Sequence, residues 1–177
     1  AFSGQFNTTE VWVAIRNPAT FLPSIYCEAM RWKAYEDFRT VFKGDFQQCW
    51  LPVIRDIHDA LPNCNINVFC YENYSRDILE FFTDMGLDTR LFDDSKSDIV
   101  RRSPTEHSIR IYKQVSTIVP RRLQKRILQV IERLDRNTNE KFSPFSRIEI
   151  QQLNALYTDD MARIKRELNV NFIGYSQ

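Results

Sequence analysis

The apolar positions of this chain fall into two short continuous runs and several longer stretches with helical spacing. Val11-Trp12-Val13-Ala14-Ile15 closes on Arg16-Asn17-Pro18, and Ile66-Asn67-Val68-Phe69-Cys70 closes on Tyr71-Glu72-Asn73. Short runs rich in β-branched and aromatic residues, bounded by turn formers, predict strands. Their continuous apolarity predicts cover on both faces, as in a parallel sheet. A helix is predicted after the first run, from about Thr20 to Phe38, with Ile25, Met30 and Trp32 among its apolar positions. Another is predicted after the second, from Ser75 to Met85, where Ile78, Leu79, Phe81 and Phe82 form a stripe that Gly86 stops. Between them, Phe46, Trp50, Val53, Ile54, Ile57 and Leu61 predict a helix over Asp45 to Leu61, with Pro62 beyond its end. Strand, helix, helix, strand, helix is the order of a parallel crossover.

The pattern changes after Asp98. Ser103, Pro104 and Glu106 have the spacing of an N-cap, a first-turn proline and a capping-box acid, so a helix is expected from Pro104 to about Ile118. Pro120 opens a second, with Leu123, Ile127, Val130, Ile131 and Leu134 on one inward face. A polar break runs from Asn137 to Pro144. Ser146 and Glu149 repeat the capping-box spacing and open a final helix with Ile148, Leu153, Leu156, Met161, Ile164 and Leu168 inward. The last eighty residues are thus expected to be helical, and Asp93 to Asp98 to form a mobile loop.

A length of 177 residues fits one domain and at most two, and 43% hydrophobic with 27% charged residues argues against disordered, collagenous and membrane-spanning classes. Only four glycines occur, Gly4, Gly44, Gly86 and Gly174, and their spacing excludes both a GxxxxGK[ST] phosphate loop and a GxGxxG fingerprint within these residues. The net charge of +1 argues against a general polyanion binder, but the charge is segregated. Residues 45 to 100 carry eleven acids and four bases, a net of −7, and residues 101 to 136 carry ten bases and three acids, a net of +7. Either two solvated surfaces attract each other, or the basic stretch faces an anionic ligand. Cys27, Cys49, Cys64 and Cys70 lack CxxC spacing, and His58 and His107 lie far from any cysteine pair, so no metal site is expected. A buried thiol at Cys70 and the absence of a disulfide framework point to a reducing, cytoplasmic compartment. No membrane span or signal peptide is expected. Ala1 to Thr9 reads as the middle of a longer sequence, so a trimmed fragment is expected.

Ligands of open parallel sheets gather beyond the carboxyl ends of strands. The first such end carries Arg16-Asn17-Pro18, with Ser24 eight residues after the arginine. Asn17 is suited to cap a helix opened by Pro18, while Pro23 lacks an amide hydrogen and predicts a restart near Ser24. A restart would bring free amides and a hydroxyl toward the guanidinium, which makes an anion site. The other reading is an ordinary capped helix with Arg16 paired to an acid. Arg101-Arg102-Ser103 stands just before a predicted helix start, as an anion site or as a solvated lead-in. His58 and His107 have the chemistry of general bases, and also that of ordinary histidines on polar helix faces. Trp12, Trp32 and Trp50 are expected to pack in the core or between helix and sheet.

The run from Val11 to Ser24, an apolar strand ending in Arg-x-Pro with a serine eight positions after the arginine, resembles the segment of sulfotransferases that holds the 3′-phosphate of phosphoadenosine phosphosulfate. Tyr71-Glu72-Asn73 is similar to the Tyr-Glu-Asp that ends a later strand in many of these enzymes, where the tyrosine lies against the adenine. The tail from Lys141-Phe142-Ser143-Pro144-Phe145-Ser146 through Leu156-Tyr157 to Asp160 resembles the closing helix of bacterial sulfotransferase-like proteins that act on carbohydrates. The resemblance implies that Arg16 and Ser24 bind the 3′-phosphate and that Tyr71 contacts the adenine. Arg101 and Arg102 are similar to the Arg-Lys-Gly that closes over the same phosphate, with a shorter spacing and no glycine. The family's lysine-bearing phosphosulfate loop and its catalytic histidine or glutamate lie upstream of the arginine strand. Only fifteen residues precede Arg16 here, with no histidine or lysine and Glu10 as their one acid, so those parts are expected outside this chain and the catalytic residue is unassigned.

The expected fold is therefore α/β, a parallel sheet with flanking helices of the P-loop-type sulfotransferase kind, its N-terminal part missing, plus a helical C-terminal third. Residues 1–100 would form the donor-binding part and residues 101–177 the helical part of the same domain. The implied activity is transfer of a sulfuryl group from phosphoadenosine phosphosulfate to a hydroxyl acceptor, with carbohydrate as the class the tail suggests. Neither a metal nor a nucleic-acid partner is implied. The alternatives are a non-catalytic binding protein on a remnant of the same fold, and another nucleotide-dependent transferase such as a P-loop kinase.

Overall fold

Both predicted strands form, and a third joins them. The computed structural model describes residues 10–43, 46, 49–73, 82, 83, 85–89, 103–135 and 141–173. β1 (Glu10–Ile15) pairs in parallel with β2 (Asn65–Cys70), which pairs in parallel with β3 (Asn171–Ile173). Among these residues the helices with described bounds are α1 (Pro18–Trp32), α2 (Phe38–Val41), α3 (Leu51–Ala60), α4 (Glu106–Ser116), α5 (Arg121–Leu134) and α6 (Arg147–Glu167). The protein is thus mixed α/β with a three-stranded parallel sheet. Two compact units interleave along the chain: residues 1–17, 47–98 and 152–177 form one, and residues 18–46 and 99–151 the other. This grouping differs from a division at residue 100, because α1 and α2 group with α4 and α5 while most of α6 groups with the strands.

In the sheet unit, period-2 geometry sends Val11, Val13 and Ile15 to the same face as Ile66, Val68 and Cys70. Leu51 and Ile54 of α3 and Tyr157, Met161 and Ile164 of α6 complete this core. The opposite face is not sealed as the apolar runs predict, since Glu10 and Ala14 are exposed. It carries a polar row instead, with Asn171 Nδ2 donating to Asn67 Oδ1 at 3.1 Å. β3 contradicts an all-helical C-terminal region. Three residues are too few to show a period, and β3 becomes a strand through its ladder with Asn67, Val68 and Phe69.

α3 starts six residues later than its apolar spacing predicts, because Pro52 fits at the second helical position, where a missing amide hydrogen is harmless. Trp50 provides no side-chain cap. Asp160 of α6, only 3% exposed, caps the helix from outside and accepts from the amides of Trp50 and Leu51. Outside the helices named above, Gly86 has φ +73° and ends a helical turn with a Schellman pair, Leu87 N–H to Phe82 O at 2.9 Å and Gly86 N–H to Thr83 O at 2.8 Å. The rest of the helix predicted over Ser75 to Met85, and the loop expected at Asp93 to Asp98, lie outside the described residues.

In the helical unit, α1 corrects the expected restart near Ser24 by running unbroken through Pro23. A mid-helix proline costs about 3 kcal/mol, whereas each fully buried large apolar side chain contributes roughly 1.5–3 kcal/mol. Leu22, Tyr26 and Met30 are all essentially inaccessible. The helix predicted to reach Phe38 ends at Trp32, with Phe38 opening α2 behind its Asp37 cap. Ile25 and Trp32 are exposed, against the packing expected of Trp32. Tyr26 meets Phe38 and Phe142 at centroid distances of 5.3 Å, and Phe38 meets Phe145 at the same distance.

The cap of α4 is Thr105 rather than Ser103. Its hydroxyl accepts from Ser108 N at 3.0 Å, and Thr105 and Ser108 both donate to Asp135 just beyond α5. Gln124, 4% exposed, donates to the carbonyls of Ser116 and Val119 and accepts from the Tyr35 amide, using a buried amide to close the turn between α4 and α5. The inward face of α5 is Gln124, Leu128 and Ile131, while Leu123, Val130 and Leu134 are exposed, so the predicted face is corrected by about a quarter turn. Ile148 is likewise exposed on α6.

The capping box that opens α6 forms as predicted: Ser146 N–H and Oγ–H each donate to Glu149 Oε2 at 2.8 Å, and Glu149 N–H donates to Ser146 Oγ at 3.3 Å. Hydrogen bonding from Arg39, then from Ser146, holds the Glu149 carboxyl down to about 2. A depressed carboxylate stabilises fully above its unfolded value of 4.5 and loses that contribution as pH falls toward 2. The difference in thermal midpoint between the native protein and Glu149→Gln is therefore expected to be constant at about pH 6 and above, and to shrink below 4.5. A difference that stays constant down to pH 3, about a unit above the folded value, contradicts this role.

Candidate functional site

Arg16 and Tyr71 immediately follow β1 and β2. Ile15 and Cys70 are register partners, so the two chains leave the sheet side by side at its carboxyl end. The Arg16 guanidinium carbon lies 4.7 Å from the centroid of the Tyr71 ring, within cation–π range. Two residues that the sequence places 55 positions apart thus form one polar, aromatic corner where parallel sheets bind ligands. Tyr71 is 47% exposed, which leaves ring area for a flat partner.

The backbone under this corner is held from three directions. Trp50 Nε1–H donates to the Arg16 carbonyl at 2.8 Å. The Asn17 amide donates to Glu72 Oε1 at 2.7 Å, and the Tyr157 hydroxyl donates to Glu72 Oε2 at 3.1 Å. Asn17 Nδ2 donates to Asn154 Oδ1 at 2.8 Å. Glu72 therefore uses both carboxylate oxygens to tie the end of β1 to α6. Burial, reinforced by Cys70 and Glu72, pushes the Tyr157 phenol well above its ordinary range, so it remains a donor. Burial raises the Cys70 thiol too, and its sulfur lies 3.3 Å from Met161 Sδ. No known family model, curated protein or solved structure matches this chain.

Ser24 lies in the interior of α1, in the helical unit, and is not at a helix start. The local reading that gave it free amides is corrected by the continuity of α1 through Pro23. Arg101 and Arg102 lie outside the described residues. His58 is half-buried on α3 with Nδ1 3.4 Å from Asp59 Oδ1, and His107 is exposed on α4 with Nδ1 3.1 Å from an Arg110 nitrogen. Among the described residues no group of three His, Cys, Asp or Glu side chains is arranged to hold a metal ion, and no helix is long and apolar enough to cross a membrane. Burial pushes the Cys27 thiol up to about 12, away from nucleophilic chemistry near neutrality.

Trp50, Asn154 and Tyr157 contribute to this corner in ways that sequence reasoning missed. Tyr157 follows Leu153 by four positions on the buried stripe of α6, which marks it as inward but not as a partner of Glu72. The helical unit also holds an open cleft of about 340 Å³ lined by residues that include Tyr26, Tyr35, Phe38 and Phe142. Two of its cations are engaged by carboxylates, Lys113 with Asp37 at 3.4 Å and Arg39 with Glu149 at 2.6 Å, and Arg110 lines it as well.

Proposed function

We propose that this chain is the nucleotide-holding part of an α/β transferase that moves a sulfuryl group from phosphoadenosine phosphosulfate to a hydroxyl acceptor, carbohydrate being the class favoured by the resemblance of its tail. The observation that carries this reading is the side-by-side placement of Arg16 and Tyr71 at the carboxyl end of two parallel strands. A guanidinium supplies charge-assisted hydrogen bonds to a phosphate, and a half-exposed aromatic ring supplies a surface for a purine. Arg16 would anchor the 3′-phosphate and Tyr71 would lie against the adenine.

In the reaction the bond from sulfur to the donor's phosphate oxygen breaks as a bond to the acceptor oxygen forms, adenosine 3′,5′-bisphosphate departs, and a base takes the acceptor's proton. The resemblance puts that base and the loop lysine upstream of β1. A second reading, a non-catalytic binding protein on the same fold, is favoured by the exposed basic helix α5.

Calorimetric titration separates the outcomes. Adenosine 3′,5′-bisphosphate is expected to bind more tightly than adenosine 5′-monophosphate, and Arg16→Ala to remove about 1.5–3 kcal/mol of that affinity. Equal affinity for the two nucleotides refutes the 3′-phosphate assignment. Preferential binding of the bisphosphate, without sulfate transfer to a hydroxyl acceptor by a protein that also carries the lysine-bearing loop upstream of β1, favours the second reading.

A further inference from the structure

α5 carries two apolar stripes, and only one is used internally. Gln124, Leu128 and Ile131 are buried, while Leu123, Val130 and Leu134 are 51%, 53% and 80% exposed, with Ile127 half-buried among them. The spacing of 123, 127, 130 and 134 alternates four and three residues, the a and d positions of two heptads. At 100° per residue these four positions fall within about 60° of one another, a narrow seam lying about a quarter turn from the buried stripe. The exposed Arg122 and Arg133 fall along the edge of the seam away from the buried stripe, and position 126, a third arginine, repeats the same spacing. The helix has five bases, Arg121, Arg122, Lys125, Arg126 and Arg133, against one acid. That acid, Glu132, is turned inward to the buried Arg31, at 2.9 Å from its NH2 nitrogen, and does not offset the arginines at the seam.

From this geometry we infer that the exposed seam of α5 is a docking surface for an acidic amphipathic helix of a partner protein, with aliphatic residues at a and d and carboxylates on the flank that meets Arg122 and Arg133. Knobs of the partner fill the holes between Leu123, Ile127, Val130 and Leu134, and the arginine edge selects its charge. A second copy of the chain fits poorly, because antiparallel pairing of two seams sets arginine against arginine. A lipid surface fits poorly as well, because the seam is narrow and lacks the aromatic residues of interfacial helices. The inference is independent of nucleotide binding.

The test uses the full chain and a fluorescein-labelled synthetic helix of three heptads, with Leu and Ile at a and d and Glu at e and g, whose like charges keep it monomeric near neutrality. Saturable binding is expected that weakens as salt is raised from about 50 to 500 mM. The double variant Leu123→Ser/Leu134→Ser, altered only at exposed positions and checked by circular dichroism, is expected to bind at least about tenfold more weakly. Arg122→Glu/Arg133→Glu is expected to lose the Glu-bearing helix and gain a Lys-bearing one. Equal binding of both helices by the native chain, or undiminished binding by the serine variant, overturns the proposal. So does binding through this seam to phosphatidylserine vesicles but not to the acidic helix, or sedimentation showing that the seam joins two copies.

Discussion

Arg31→Ala is expected to lower the unfolding free energy by about 3 kcal/mol, the lower end of the range for breaking a buried ion pair from one side. The Arg31 side chain is 7% exposed and its NH2 nitrogen lies 2.9 Å from Glu132 Oε1, with Nε donating to the same oxygen at 3.0 Å. A second carboxylate, Glu28, meets NH1 from one turn earlier in α1. Alanine would leave Glu132, whose side chain is 21% exposed, without its main counter-charge, while Glu28 at 45% turns to water. The partial access of both acids is why the lower end applies. Arg31→Met combined with Glu132→Leu removes both charges and keeps the volume, and is expected within about 1 kcal/mol of the native protein. Urea unfolding measures both. A loss under about 1 kcal/mol for the single change would mean the pair behaves as a surface contact.

Asp160→Ala is expected to cost about 2–4 kcal/mol, because two amides at the start of α3 lose their shared acceptor in a site closed to water. The carboxylate also sits at the positive end of the α3 dipole. Leu51 N–H reaches its two oxygens at 3.2 and 3.3 Å, and Trp50 N–H donates to it as well. Asp160→Asn keeps one acceptor oxygen but turns an amide donor toward the helix, and is expected to lose about half as much. The corner should respond too, since Trp50 also holds the Arg16 carbonyl. Weaker bisphosphate binding by Asp160→Asn at a temperature where it remains folded is the accompanying result. A stability loss below about 1 kcal/mol in Asp160→Ala would show that water can replace the cap.

The chemistry of the α5 seam belongs to a different part of the molecule from the Arg16 corner, and the two can be separated experimentally. The seam variants change exposed positions in the helical unit, whereas Arg16 and Tyr71 sit in the sheet unit. Loss of nucleotide binding with an intact response to the acidic helix would place the defect at the strand ends alone.

Residues with strong local signals behaved as their chemistry predicts. Ser146 and Glu149 close the capping box, Gly86 takes the left-handed conformation at a helix end, and the two apolar runs become parallel strands. The position of Arg16 and Tyr71 at strand ends was also legible, because each directly follows a recognisable run. Their proximity was not, since nothing in a single sequence states that β1 and β2 are neighbours in register. Pro23 misled for the same reason in reverse: its local cost is real, yet burial of the surrounding side chains exceeds it. Thr105 displaced Ser103 as a cap because Asp135, thirty residues later, binds both Thr105 and Ser108.

What the sequence by itself determined is the alternation of short apolar runs with helical stretches, hence the α/β class, and the pair of polar clusters that end the strands. What only the tertiary structure decided is which apolar stripe of α5 faces inward, that Asn171–Ile173 completes the sheet, and that Asp160, Trp50 and Glu72 brace the corner from distant parts of the chain. The division follows from range. Periodicity, caps and breakers act within a few residues and leave a local pattern, whereas the buried acceptor for Trp50 and Leu51 lies about 110 residues away, and only packing brings it there.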